Sequence, residues 1–169
     1  MNVVEAIFTR RSIRKYTGEP ISKENMEILL KAGAAAPSAH NSQPWHFVVV
    51  KDPAKLKEIA EKHPYAKMLP QAGCCIIVCG DKEKQSRTGF LLEDCSAAIQ
   101  NILLAAHGIG LGAVWCGLHP VPQLTQLASE VIQLPNTIEP VGMVVVGHKA
   151  EEKGPANRFD ESKIHHDQW

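Results

Sequence analysis

Three guanidiniums and a hydroxyl fall within five residues at Arg10-Arg11-Ser12-Ile13-Arg14. That is more positive charge than a helix end needs. It suits a phosphate or another fixed anion, which a guanidinium grips through paired donors. Further on, Pro37-Ser38-Ala39-His40-Asn41-Ser42-Gln43-Pro44-Trp45 forms a polar turn bracketed by prolines and rich in groups that hydrogen-bond a planar heterocycle. Together the two segments suggest a phosphorylated aromatic cofactor. Taken alone, the arginines also fit a solvated helix end, where cations favour the dipole. Ser12, a short donor between them, and the distant Arg158 favour the anion site.

Other chemistries find less support. The eight histidines show no metal-ligand spacing and there is no Cys-x-x-Cys pair, so no metal site is expected. No Gly-x-Ser-x-Gly elbow is present, and Cys116 has no recognisable histidine partner, which argues against covalent catalysis. Gly108-Ile109-Gly110-Leu111-Gly112-Ala113 resembles a dinucleotide fingerprint on paper. That motif must follow a strand and open a helix, whereas this one follows a helix and opens a strand. It reads as a helix stop, with Gly108 as its cap.

The elements that must position these residues follow from periodicity. Val3, Val4, Ile7 and Phe8 give a helical stripe ending at Arg10, and Ser22 caps a helix over 23–35 that Pro37 closes. A strand over 46–50 leads through Asp52-Pro53 into a second helix, and 74–79 reads as a buried strand. The stretch 91–107 is apolar or small almost all round, so it must lie against other helices or a second subunit. A strand over 112–116, a helix over 122–132 and a strand over 141–146 complete the core. Trp45 and Trp115 suit the core, although Trp115 leads into Cys116-Gly117, where a glycine lets a ligand approach the backbone. Residues 148–169 are polar and too short to fold alone. Helices alternating with short strands indicate an α/β or α+β class.

With 169 residues the chain fits one domain, 1–169, able to bury roughly 70% of its unfolded surface. A formal net charge of zero gives no global electrostatic case for nucleic acid or an anionic membrane, so any anion site must be local. No apolar run approaches a membrane span and the first residues lack the pattern of a signal peptide. Five cysteines, three of them inside an apolar run, read as reduced thiols in a cytoplasmic protein.

Four segments in order resemble the nitroreductase family. Arg10-Arg11-Ser12-Ile13-Arg14-Lys15-Tyr16 is similar to its Arg-Arg-Ser-x-Arg-x-Phe/Tyr opening, and Ala36 through Trp45 to its Ala-Pro-Ser-x-x-Asn-x-Gln-Pro-Trp segment. Asp94-Cys95-Ser96-Ala97-Ala98 through Ala106 resembles its central helix, and Gly147 through Arg158-Phe159 its closing segment. The resemblance implies an α+β fold, a central mixed sheet flanked by helices, in an intertwined homodimer with two FMN sites at the interface. It implies that Arg10, Ser12 and Arg158 hold the flavin phosphate with Arg11 nearby, and that Arg14 and Lys67 sit by N1 and O2 of the ring. Pro37, Ser38, Ala39 and Asn41 would reach the partner's flavin, and the backbone at Cys116 and Gly117 would face N5. Trp115 and His119 are weaker candidates for the substrate pocket. Residues 148–169 would pack on the domain or the partner.

On this resemblance no side chain acts as acid or base, and the chemistry belongs to FMN with NADH or NADPH as donor. A fixed cation beside N1 and O2 stabilises the charge that reduction creates there. Larger relatives cover the flavin with a helical insertion after the second strand, whereas only residues 81–90 fill that stretch here. Two other readings keep the scaffold: a relative that dehalogenates aromatics or fragments the flavin, and a protein that stores or senses FMN without turnover.

Overall fold

In the computed structural model, which describes all 169 residues, three helices start where the sequence offers a cap. Asn2 accepts the Glu5 N–H ahead of α1 (Val3–Thr9), and Ser22 accepts the Asn25 N–H ahead of α2 (Lys23–Ala34). Asp52 accepts the Ala54 N–H ahead of α3 (Pro53–Lys62), which opens on a proline with no N–H to satisfy. The short α4 (Leu69–Ala72) stops at Gly73, whose φ of +73° is left-handed. The strands are β1 (Trp45–Val50), β2 (Cys75–Asp81), β3 (Gly112–Gly117) and β4 (Ile138–Gly147). The long α5 (Thr88–Gly108) joins β2 to β3, and α6 (Pro122–Ile132) joins β3 to β4.

The sheet order is β1-β2-β4-β3, and every strand pair is antiparallel. Of the mixed character that the resemblance implies, only the parallel bridge between Ser12 and Ala113 remains. Alternation along β2 sends Cys75, Ile77 and Cys79 to one face and Ile76 and Val78 to the other. The first face packs with Leu56 and Ile59 of α3, Leu69 of α4 and Leu127 and Val131 of α6. The second packs with Leu29 of α2 and Ile99 and Ile102 of α5. Helices therefore cover both faces of an antiparallel sheet, an α+β sandwich with a core on each side.

Two helices are less covered than their sequences suggest. In α5 the residues Leu91, Cys95, Ala98, Ile99, Ile102 and Ala106 are buried, but Leu92, Ala97, Leu104 and Ala105 stay half-buried. In α1 only Ala6 is buried; Val3, Val4, Ile7 and Phe8 are exposed. The stop after α5 falls two residues later than Gly108: Gly110 takes φ +84°, and Leu111 N–H returns to the Ala106 carbonyl at 2.8 Å. Between β2 and α5 there is a turn and no inserted helix. No helix is long and apolar enough to cross a membrane.

After β4 the chain doubles back along residues 11–16. Tyr16 bridges Lys149, Ala150 N–H donates to the Lys15 carbonyl at 2.9 Å, and Arg14 N–H donates to Glu151 Oε1 at 2.6 Å. Lys153 Nζ donates to the Ser12 carbonyl at 2.8 Å, and Arg11 donates to the Gly154 carbonyl. Residues 10–16 are thus held between the edge of β3 and residues 149–154. Most residues beyond Gly154 are exposed.

Candidate functional site

β3 is an edge strand, and its hydrogen-bond parity says what that edge presents. Ile13 N–H donates to the Ala113 carbonyl at 3.0 Å, so Ala113 faces away from β4. Leu118 N–H turns inward to the Val141 carbonyl at 3.4 Å. In an antiparallel ladder a residue sends its N–H and C=O to the same side, alternating along the strand. Ala113, Trp115 and Gly117 therefore aim their backbone groups outward, while Cys116 pairs with β4. Two backbone donors are left at this edge: the N–H groups of Trp115 and Gly117 point outward, away from β4.

Residues 10–14 run parallel to this edge, pinned by the Ser12–Ala113 bridge. At ~3.3 Å per extended residue, Arg10 and Arg14 lie about 13 Å apart along it. Each lines a separate groove. The first, of about 530 Å³, is walled by Ile7, Phe8, Arg10 and the tail residues 155–159, including Arg158. Burial, then the Arg158 charge and then the Arg11 charge press the Arg10 guanidinium below its ordinary pKa. Two cations from opposite ends of the chain therefore crowd one groove, an arrangement that an anion relieves.

The second groove, of about 480 Å³, is lined by Arg14, Tyr65, Lys67, Trp115, Cys116 and Gly117 among others. Trp115 lies over Gly142: a Cβ there would come within 2.4 Å of the indole Nε1, so only glycine leaves room for the ring. The Cys116 thiol donates to the Tyr65 carbonyl at 3.4 Å, and burial pushes its pKa up to about 11. It is a packed, protonated thiol with no role as nucleophile at neutral pH.

Several expected residues stand elsewhere. Arg11 turns from the first groove to the Gly154 carbonyl and helps line a small pocket with His107 and Lys149, so it fastens the tail. Ser12 lines neither main groove and is used through its backbone. Lys67 borders the second groove, but its ammonium donates to the Ala60 and Glu61 carbonyls at 2.8 and 3.1 Å, at the C-terminal end of α3. His119 lines neither groove, and neither do Pro37, Ser38, Ala39 and Asn41. No cluster of side chains is arranged to hold a metal ion.

The turn carrying Ser38 to Gln43 is strained, with His40, Asn41 and Gln43 at φ of 54°, 52° and 47°. A residue missed from the sequence holds it. Asp94, buried in α5, accepts the Ala39 N–H at 2.8 Å and the Ser42 hydroxyl at 3.4 Å. Ser38 Oγ accepts the Gln43 N–H at 2.9 Å, closing the turn on itself. The available signal was a lone carboxylate on the otherwise apolar face of a helix.

A model of the nitroreductase family matches residues 7–63 and 57–148. A protein of Methanothermobacter thermautotrophicus, provisionally named NADH dehydrogenase/NAD(P)H nitroreductase, is 42% identical over 169 residues, covering 100% of this chain and 88% of its own. A crystal structure under the same provisional name, from Parabacteroides distasonis, has a TM-score of 0.96 at 40% identity and covers 100% of both chains. An FMN-dependent nitroreductase of Clostridium difficile has a TM-score of 0.91 at 29% identity, covering 98% of this chain and 99% of its own. The family match spans the arginine strip, the strained turn and both edges of the sheet, and the fold follows those relatives from end to end: this chain belongs to the nitroreductase family.

Proposed function

We propose that the chain is an FMN-dependent oxidoreductase that takes electrons from NADH or NADPH and reduces nitroaromatics, quinones or a related conjugated acceptor. The observation that carries this reading is the arginine strip along the open edge of β3. It puts Arg10 with Arg158 in one groove and Arg14 beside outward-facing backbone N–H groups in the other. That donor set fits FMN: paired cations suit a phosphate, and a cation with nearby N–H groups suits the hydrogen-bonding edge of a flavin ring. FMN held there by Arg10, Arg158 and Arg14 would supply the redox chemistry, hydride exchange between a nicotinamide and the second substrate in a ping-pong cycle.

The residues do the rest. Arg10 and Arg158 hold the phosphate. Arg14 sets its guanidinium where negative charge gathers on the ring, in a groove half closed by Trp115 and Tyr65. Of the backbone at Cys116 and Gly117, the Gly117 N–H faces outward beside this groove and would be the donor for flavin N5. Trp115, at the same groove, is the candidate to touch substrate.

The reading extends to a homodimer. Val3, Val4, Ile7 and Phe8 of α1 and Phe159 of the tail form exposed apolar surface around the first groove, and α5 keeps a half-open apolar flank. A second copy covering these surfaces would close both. Pro37, Ser38, Ala39 and Asn41 line neither groove of their own chain, which favours their reaching the partner's flavin. On this view residues 1–169 are one domain, with 148–169 packed first on its own core and then on the partner.

Stopped-flow mixing of the FMN-loaded protein with NADH or NADPH tests the proposal. Rapid bleaching of the flavin, followed by recovery on adding a quinone or nitroaromatic, is expected. A flavin that stays oxidised for minutes would refute turnover and leave a protein that only stores or senses FMN.

A further inference from the structure

The wall of the second groove opposite Trp115 is the link between α3 and α4, residues 63–68, and it is tied to the end of β3 through one wholly buried side chain. Tyr65 N–H donates to His63 Nδ1 at 3.2 Å, so Nδ1 is the unprotonated nitrogen. The neutral ring then carries its proton on Nε2, which donates to the Gly117 carbonyl at 3.0 Å. The Cys116 thiol returns a bond to the Tyr65 carbonyl at 3.4 Å. Segments 63–65 and 116–117 are thus crossed by ties in both directions.

The tie matters because of what Gly117 is. Without a Cβ its φ and ψ are intrinsically loose, and its carbonyl and N–H both leave the strand on the open side. A bond that fixes the carbonyl therefore also restrains where the N–H points. We infer that His63 is a positioning residue for the flavin groove: its neutral Nε2–H imidazole holds the Gly117 backbone aimed into the groove and keeps the Tyr65–Lys67 wall at a fixed distance from it. This rests on the flavin reading given above.

Two substitutions separate positioning from mere packing. In His63→Gln the amide nitrogen falls near Nε2 and keeps the donor to Gly117. In His63→Asn the shorter side chain offers an acceptor near Nδ1 but cannot reach Gly117. FMN titration of the full-length apoprotein and the midpoint potential of the bound flavin are then measured for both. Losing one buried hydrogen bond should raise the FMN dissociation constant of His63→Asn about twofold to tenfold and shift its potential, with His63→Gln close to wild type. If the two variants bind FMN alike and share one potential while wild type binds normally, the role is overturned and the flavin reading stands. A wild type that binds no FMN overturns the flavin reading and this role with it. Should both variants fail to fold, the ¹⁵N resonances of the wild-type ring decide. They must report a proton on Nε2 and move when FMN binds. A proton on Nδ1, or resonances indifferent to FMN, overturns the assignment.

Discussion

Replacing Arg158 by alanine should weaken the binding of FMN while leaving riboflavin almost untouched. Arg10 and Arg158 face one groove, and the Arg158 charge is, after burial, the largest influence depressing the Arg10 guanidinium. A phosphate turns that repulsion into two charge-assisted contacts. Each hydrogen bond to a charged group contributes ~1.5–3 kcal/mol, so losing the Arg158 contact should raise the FMN dissociation constant about 10- to 100-fold. Riboflavin has no phosphate and should bind the variant as it binds wild type. The apoprotein should keep its stability or gain slightly, since Arg158 is exposed and an exposed charge interaction changes it by no more than ~1 kcal/mol. Added salt should narrow the gap between FMN and riboflavin in wild type, and less steeply in the variant, which keeps only the Arg10 contact. Flavin fluorescence quenching at low and high salt reads the affinities, and a thermal melt reads the apoprotein. Equal loss of FMN and riboflavin, or a markedly less stable apoprotein, would refute the argument from converging cations.

Four further outcomes follow from the same geometry. Arg14→Ala should keep FMN but make its reduction harder, lowering the two-electron midpoint by about 30 mV if the lost interaction is ~1.4 kcal/mol; an unchanged potential in a dye-equilibration titration would count against Arg14. Lys67→Met should cost ~1 kcal/mol in a denaturant melt, because its ammonium satisfies carbonyls at the end of α3, with little change in flavin potential. A potential shift as large as that of Arg14→Ala would show the lysine turning to the flavin instead. Asp94→Ala strands the Ala39 N–H and should cost ~1–3 kcal/mol, while Asp94→Asn, which keeps an acceptor, should cost less. Urea melts that rank them the other way would contradict the anchoring role. The thiols of Cys74 and Cys116 are pushed up to about 11 and those of Cys79 and Cys95 to about 12, all chiefly by burial. The folded state therefore holds protons that the unfolded chain releases above an ordinary thiol value of 9.0, so this stability is intact below that pH and lost as pH climbs toward 11–12. Melts at pH 8, 9.5 and 10.5, about the ordinary thiol range, should fall in order, and native protein at pH 8 should resist Ellman's reagent; prompt labelling would contradict the burial.

Local signals were legible where local physics decides. Ser22 as a cap, Asp52-Pro53 as a helix start and Pro122–Ile132 as a helix follow from side-chain chemistry and spacing, and the structure has all three. Strand direction has no such signature, so a sheet expected to be mixed is antiparallel in its strand pairs. The resemblance marked residues that do converge, Arg10 with Arg158 and Arg14 with Cys116 and Gly117. It could not show which long side chains would find a nearer partner. Arg11 and Lys67 both end on backbone carbonyls, because flexible cationic arms settle on whichever acceptor the fold leaves unpaired. Asp94 and His63 carry no functional signature in the sequence, because a buried polar group shows its purpose only through its partners. The apolar stripe of α1 does form a helix, but a single chain leaves it exposed, which its periodicity cannot show.

In the proposed function, cations from both ends of the chain meet on FMN across a seam between two copies. Native mass spectrometry of the full-length protein after incubation with FMN tests it most directly, since one spectrum reads both the chain count and the flavin count. A dimer carrying one FMN per chain is expected, with the flavin lost first from an Arg10→Ala, Arg158→Ala double variant. A monomer without flavin, or a double variant that keeps FMN as firmly as wild type, would contradict it.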